Sequence, residues 1–286
     1  MIGTFEYVRV GSIKEGCEIL AAQDNRAVAL AGGTDLLVNI RNTGKSPDLL
    51  VDFKQVEQMN DLVADSEAGV KIGACVPLNV IADNRVINER YAALAQAARS
   101  VGSYQVRNRA TLGGNIANAS PAADTAPALL VLGASVNVEG KDGSREIPID
   151  ELFTGVKKTS LRVGEVITDI VLPSLGSQVR SAFIKKQRVR GHDLAIINMA
   201  AYCDLDAGKM RIAIGSCAVT PILLSEVAIS LGEPIDELVK RLNVVAQDAI
   251  SPIDDVRASA EYRRGLVPVL LHDLIWNVLS PGGGRR

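Results

Sequence analysis

The chain has 286 residues, 47% of them apolar and 22% charged, with a formal net charge of −2. That length supports two or three packed units, and the near-balanced charge without any basic run excludes a nucleic-acid footprint. The apolar stretch at 126–136 is far short of the roughly 18 to 20 residues that a bilayer span requires. The opening MIGTFEYVRV also lacks the charged-then-apolar layout of a secretory signal, so a soluble, cytoplasmic protein is expected.

Residues 12–22 read as a helix capped by Ser12, and residues 27–31 as an apolar strand. Gly32-Gly33-Thr34 breaks that strand, and residues 35–42 follow with Leu36, Leu37 and Ile40 at helical spacing. Residues 49–53 form another apolar strand, and strand, helix, strand in this order predicts a parallel crossover. Residues 70–73 are strand-like, residues 78–82 open a helical stretch, and the alanine-rich residues 91–101 predict a helix. Residues 135–138 and 146–149 predict a hairpin turning at Lys141-Asp142-Gly143, and residues 166–172 a strand ended by Pro173. The breaker-rich PSLGS at 173–177 marks a boundary. Beyond it, residues 181–187, 198–205 and 210–218 predict three antiparallel strands, and 235–250 and 259–279 predict helices. The expected organisation is α+β in three units, 1–57, 58–175 and 176–286.

Cys17, Cys75, Cys203 and Cys217 are scattered, without the short ligand spacing of an iron–sulfur or structural zinc site, and read as buried free thiols. The two histidines, His192 and His272, stand far apart, so a His-centred triad or metal site lacks parts. Chemistry carried by a cofactor is the expectation.

Two segments place paired glycines where the chain enters a helix or turn. In Ala31-Gly32-Gly33-Thr34-Asp35-Leu36, glycines allow a bulky anion close to the backbone, and free N–H groups at a helix start favour negative charge. A diphosphate is the natural guest, although a plain turn gives the same pattern. The second segment, ATLGGNIANASPAAD at 110–124, combines Gly113 and Gly114 with hydroxyl and amide donors and a terminal carboxylate. Thr111 and Asn115 are candidate donors to phosphate or ring acceptors, and Asp124 a candidate acceptor for ribityl or ribose hydroxyls. The plainer alternative makes Asp124 the cap of a helix beginning near Thr125. No GxxxxGK[ST] and no GxGxxG occurs, so neither a P-loop nor a Rossmann fingerprint is present.

AGGTDLL at 31–37 and QVRNRATLGGNIANASPAAD at 105–124 resemble the FAD-binding medium subunit of the xanthine dehydrogenase family of molybdenum hydroxylases. SAFIKKQRVRGHDLAIINMAA at 181–201 and RASAEYRRGLVPVLL at 257–271 resemble the same family's flavoprotein C-terminal domain. The resemblance implies an N-terminal FAD-binding unit of two α/β subdomains (PCMH-like), then a domain with a three-stranded antiparallel sheet and helices. It implies that the first loop, Val28, Ala29, Leu30, Ala31, Gly32, Gly33, Thr34 and Asp35 with Leu36, wraps the diphosphate. It assigns Thr111, Gly113, Gly114, Asn115 and Asp124 to the second loop, and sets Ile167 against the isoalloxazine. Lys185 matches a lysine near the same ring, with Lys186 a competing register. Arg107 and Arg109 precede the second loop and read either as diphosphate or subunit contacts or as surface ion pairs.

Further implications concern the assembly. A large molybdopterin subunit oxidises substrate, a small subunit with [2Fe-2S] clusters relays electrons, and the FAD here passes them to an external acceptor such as NAD. The alternatives are the medium subunit of a carbon monoxide dehydrogenase-type complex, a stand-alone flavin oxidase, and a carrier that holds no FAD.

Overall fold

A computed structural model describes residues 4–280 apart from Asp24, Ser66, Arg190 and Leu231. It carries three main sheets. The first is parallel, with Leu49–Asp52 between Glu6–Arg9 and Ala27–Leu30. The predicted crossover is present: the chain leaves Ala27–Leu30, forms the helix Leu36–Thr43, and returns as Leu49–Asp52. Glu6–Arg9 is not foreseen from sequence, because its mostly exposed, polar pattern acquires strand geometry only by pairing with the apolar central strand. Ser12 caps the helix Ile13–Ala22, accepting from the Glu15 N–H at 3.2 Å.

The second sheet has the order Leu62–Asp65, Gly69–Gly73, Val166–Leu172, Ser135–Gly140, Gly143–Pro148, all antiparallel. Its centre is the strand that comes last in sequence, so residues 74–134 make an excursion and return. That excursion holds the second glycine segment and the helices Ala92–Ser100 and Thr125–Leu132. Thr125–Leu132 is buried at every residue, which is why it shows no polar face. It packs on two strands of the third sheet, Ile197–Asp204 and Lys209–Gly215.

The third sheet contains the three predicted strands, Val179–Lys186, Ile197–Asp204 and Lys209–Gly215. Two strands of two residues each, Ile222–Leu223 and Val227–Ala228, extend it along Lys209–Gly215, so the expected three-stranded sheet is wider. Runs that short carry no readable period. Alternate residues divide between two cores. Phe183, Ala200, Tyr202 and Ala213 join the apolar cluster of the first two sheets. Ala182, Ile184, Met199, Ala201, Ile212 and Ile214 face the helices Ile235–Ala249 and Ala260–Leu279. The open edge of Val179–Lys186 is tied to helix Ala92–Ser100: the Phe183 N–H donates to Gln96 Oε1 at 2.8 Å, and the Ala93 N–H to Ser181 Oγ at 3.1 Å.

The four cysteines are buried and free. Burial pushes the Cys17 and Cys203 thiols up to about 11 and those of Cys75 and Cys217 up to about 12. At neutral pH they stay protonated and unreactive.

Candidate functional site

The first glycine loop leaves Ala27–Leu30 and enters the helix Leu36–Thr43. Gly33 has φ +73°, a left-handed conformation, and a side chain there would sit 3.0 Å from Leu30 Cδ1. Gly32 lies against the backbone of Arg109 and Ala110; a methyl group on it would strike the Arg109 carbonyl oxygen. The loop therefore exists in this shape only because two glycines stand where they do. Among the described residues, the N–H groups of residues 32–36 have no hydrogen-bond acceptor in the chain. Backbone donors left free at a helix start are a cradle for an anion.

Other expected members of this loop have supporting roles. Leu30 is buried with Ile40 and Leu50, and Val28 and Leu36 pack against that cluster, whereas Ala29 is exposed. Thr34 is half-buried and Asp35 exposed. The Asp35 carboxylate does not cap the helix; it accepts from Asn39 Nδ2 at 2.8 Å and lies 3.5 Å from Lys157 Nζ. Lys157 also donates to Asn118 Oδ1 at 2.7 Å, which ties the first loop to the end of the second.

The second segment is organised differently. Thr111 caps the helix Leu112–Ala117, its Oγ1 accepting from the Gly114 N–H at 3.0 Å. The Leu112 N–H donates to Val76 O, that of Gly113 to Ala74 O, and that of Asn115 to Thr111 O. These backbone donors are committed inside the protein, so they are not an anion cradle. Gly113 is glycine for packing, since a side chain would come within 2.7 Å of the Ala74 carbonyl oxygen. Gly114 is exposed and looks across at the first loop, where an added Cβ would stand 4.0 Å from Ala31 Cβ. Asn115 Oδ1 accepts from Thr125 Oγ1 at 2.6 Å, which turns the Asn115 side chain toward the following helix.

Asp124 and Lys185 meet. Lys185 Nζ lies 2.6 Å from Asp124 Oδ2, both side chains are only 7% exposed, and Lys185 also donates to Ser100 O at 3.2 Å. Asn198 Nδ2 donates to Asp124 Oδ1 at 2.9 Å. Burial pushes the Asp124 carboxyl up, and Lys185 and Asn198 pull against that rise. The capping alternative for Asp124 is not realised: its backbone is already helical and it makes no side-chain cap. With both carboxylate oxygens engaged inside the protein, Asp124 is the base of a buried ion pair rather than a free acceptor. The pleat chooses between the two lysines. Lys185 shares the inner face with Phe183, whereas Lys186 falls on the other face and is exposed.

Ile167 lies in the central strand Val166–Leu172, opposite Val138, and belongs to the main core. The helix Leu112–Ala117 packs on that strand. Arg107 is an internal brace: its Nε donates to Asn79 Oδ1 at 2.9 Å and Nη1 to Val101 O at 3.1 Å. Arg109 is exposed and, among the described residues, no carboxylate pairs with it, so of its two readings the surface ion pair is not realised. A surface cleft of about 420 Å³ adjoins the ion pair, lined in part by Arg99, Ser100, Lys185, Gln187 and His192. Sequence reasoning missed Asn198 and Ser100; the readable signal was an asparagine inside the apolar run AIINMAA.

A left-handed glycine turn whose N–H groups are free among the described residues, faced by a second glycine segment, gives the chain an anion-binding type of loop on an α+β scaffold distinct from the Rossmann fold. Residues 3–175 match the model described as "FAD binding domain in molybdopterin dehydrogenase", and residues 182–278 the "CO dehydrogenase flavoprotein C-terminal domain". The chain belongs to this family, as an FAD-binding oxidoreductase subunit of the molybdenum hydroxylases.

It is 32% identical to the glyceraldehyde dehydrogenase medium chain of Sulfolobus acidocaldarius, over 93% of this chain and 95% of that one. It is 29% identical to the xanthine dehydrogenase FAD-binding subunit of Escherichia coli, over 98% and 97% of the two chains. Among solved structures, carbon monoxide dehydrogenase from Hydrogenophaga pseudoflava superposes with a TM-score of 0.88 at 26% identity, over 96% of this chain and 97% of that one.

Proposed function

We propose that the chain is the flavin-carrying electron-transfer subunit of a cytoplasmic complex with a small iron–sulfur subunit and a large molybdopterin subunit. The observation that carries this reading is the first loop, whose free N–H groups at residues 32–36 suit the two phosphates of FAD. Gly114 is exposed opposite Ala31, and the Lys157 ammonium balances the Asp35 carboxylate beside the loop. Bound FAD would supply the redox chemistry between [2Fe-2S] clusters of a partner and an external acceptor such as NAD. The chain's own part is to hold the diphosphate at residues 32–36 and to present the Asp124–Lys185 pair at the adjoining cleft. Ile167 closes the apolar core behind the second segment. The division into units 1–57, 58–175 and 176–286 belongs to the same reading, supported by the three sheets.

The relatives carry names with different substrates, glyceraldehyde, xanthine and carbon monoxide, at similar identity to this chain. That is the expected pattern when substrate choice resides on another subunit.

The test is an absorbance spectrum of the chain purified with FAD, before and after acid precipitation. Flavin bands that move into the supernatant as FAD support the reading. Bands that stay with the pellet point to a covalent flavin oxidase, and a colourless protein to a carrier. Addition of NADH or NAD to the assembled complex then tests the acceptor: spectral reduction or reoxidation of the flavin supports NAD, and inertness removes it.

A further inference from the structure

Asn198 is fully buried on the inner face of Ile197–Asp204. Its Nδ2 donates to Asp124 Oδ1 at 2.9 Å and to Ala123 O at 3.3 Å, while its Oδ1 has no partner among the described residues. Directly across the ladder stands Gly215, where any side chain would run into that Oδ1 and approach Pro127 Cγ to 3.2 Å. A buried amide with one end unpaired is a poor space-filler, because leucine of similar size would pack there with no polar group to satisfy. The arrangement makes sense if the donor end is what matters.

That donor end reaches the cleft in two steps. Asn198 occupies one oxygen of Asp124, and Lys185 Nζ occupies the other at 2.6 Å. Lys185 also lines the cleft beside Ser100, Gln187 and His192. We propose that Asn198 is a positioning residue: by fixing the Asp124 carboxylate it holds the Lys185 ammonium at the cleft wall as the neutralised half of an ion pair, and so sets the charge met by the redox-active ring. The inference rests on the proposed reading of this chain as a flavoprotein in which, as the family resemblance implies, Lys185 lies near the isoalloxazine. Without the Asn198 donor the buried carboxylate loses a partner, its protonation becomes easier, and the lysine is left with an unbalanced positive charge. Such a charge favours the reduced, more negative flavin.

The experiment compares the native chain with Asn198→Leu in two ways. In the protein without FAD, a slowly exchanging ammonium resonance from Lys185 is expected natively and lost in the variant. In the FAD-loaded protein, the midpoint potential of Asn198→Leu is expected to rise by the equivalent of about tenfold in the oxidised-to-reduced ratio, roughly 30 mV for a two-electron couple. An ammonium resonance unchanged in the variant overturns the proposal whether or not FAD binds, and so does a potential that stays put. Failure of the native chain to take up FAD would instead sink the flavoprotein reading, leaving the ammonium result to judge the Asn198–Lys185 link separately. Should Asn198→Leu fail to fold, Asn198→Ala, which removes the donor without adding bulk, is expected to lose the resonance and raise the potential in the same direction; no change in either overturns the idea.

Discussion

Single residues carry most of the site's logic, because each glycine here answers to a different neighbour. Gly33 is required by its φ of +73°, and Gly32 by the Arg109 carbonyl pressed against it. Gly32→Ala must push the two glycine segments apart, and FAD affinity is expected to fall by tenfold or more, equivalent to about 1.4 kcal/mol, in a fluorescence titration. Gly44, in contrast, also has a positive φ but meets no neighbouring atom, so its alanine variant is expected to affect helix-end stability and leave the titration unchanged. Asp124→Asn leaves Lys185 buried without its counter-charge. A loss of about 3–5 kcal/mol in denaturant unfolding is expected, the range for breaking one side of a buried ion pair.

At the scale of elements, strand pleat and helix capping decide which residues reach the site. Lys185 and Lys186 are indistinguishable in sequence, yet alternate faces of Val179–Lys186 send one to Asp124 and the other to solvent. Lys185→Met is accordingly expected to destabilise the fold by several kcal/mol, and Lys186→Met to stay within about 0.5 kcal/mol of native by urea titration. Thr111 illustrates the converse. Its position beside the glycines suggested a ligand donor, and its oxygen also accepts the cap hydrogen bond of Leu112–Ala117. Thr111→Ala is expected to cost about 1 kcal/mol of stability, the usual effect of losing a helix cap, and Thr111→Ser to restore it.

Across the whole molecule, the third sheet is a wall shared by two cores, and its far side is braced by a second charge cluster. Asp255 lies within hydrogen-bond reach of both Arg257 and Arg263, and Arg263, fully buried, also donates to Ser216 O at 2.9 Å. Burial pushes the Asp255 carboxyl up, but the two guanidinium groups pull it well below the ordinary carboxylate range. A depressed carboxyl stabilises the fold above the unfolded pKa of about 4, and that stability is lost as pH falls below it. Asp255→Asn is therefore expected to be less stable than native at pH 7, with the gap narrowing as the pH drops below about 4, followed by thermal unfolding across pH. A constant gap would show that the carboxylate's charge contributes nothing there.

The sequence by itself determined the order and type of the main elements, since period-2 and period-3.6 apolar patterns report local geometry directly. It also placed both glycine segments, because paired glycines at 32–33 and 113–114 mark points where a side chain is not tolerated or a turn is made, as the backbone contacts of Gly32 and Gly113 bear out. Only the tertiary structure decided what approaches what. Residues 32 and 109, 124 and 185, and 198 and 215 are brought together by strand order and by the excursion between the second sheet's strands. Those pairings depend on long-range packing, to which local propensity is blind. The result separates two glycine segments that look alike in sequence: one leaves its N–H groups free, and the other uses them to hold itself in place.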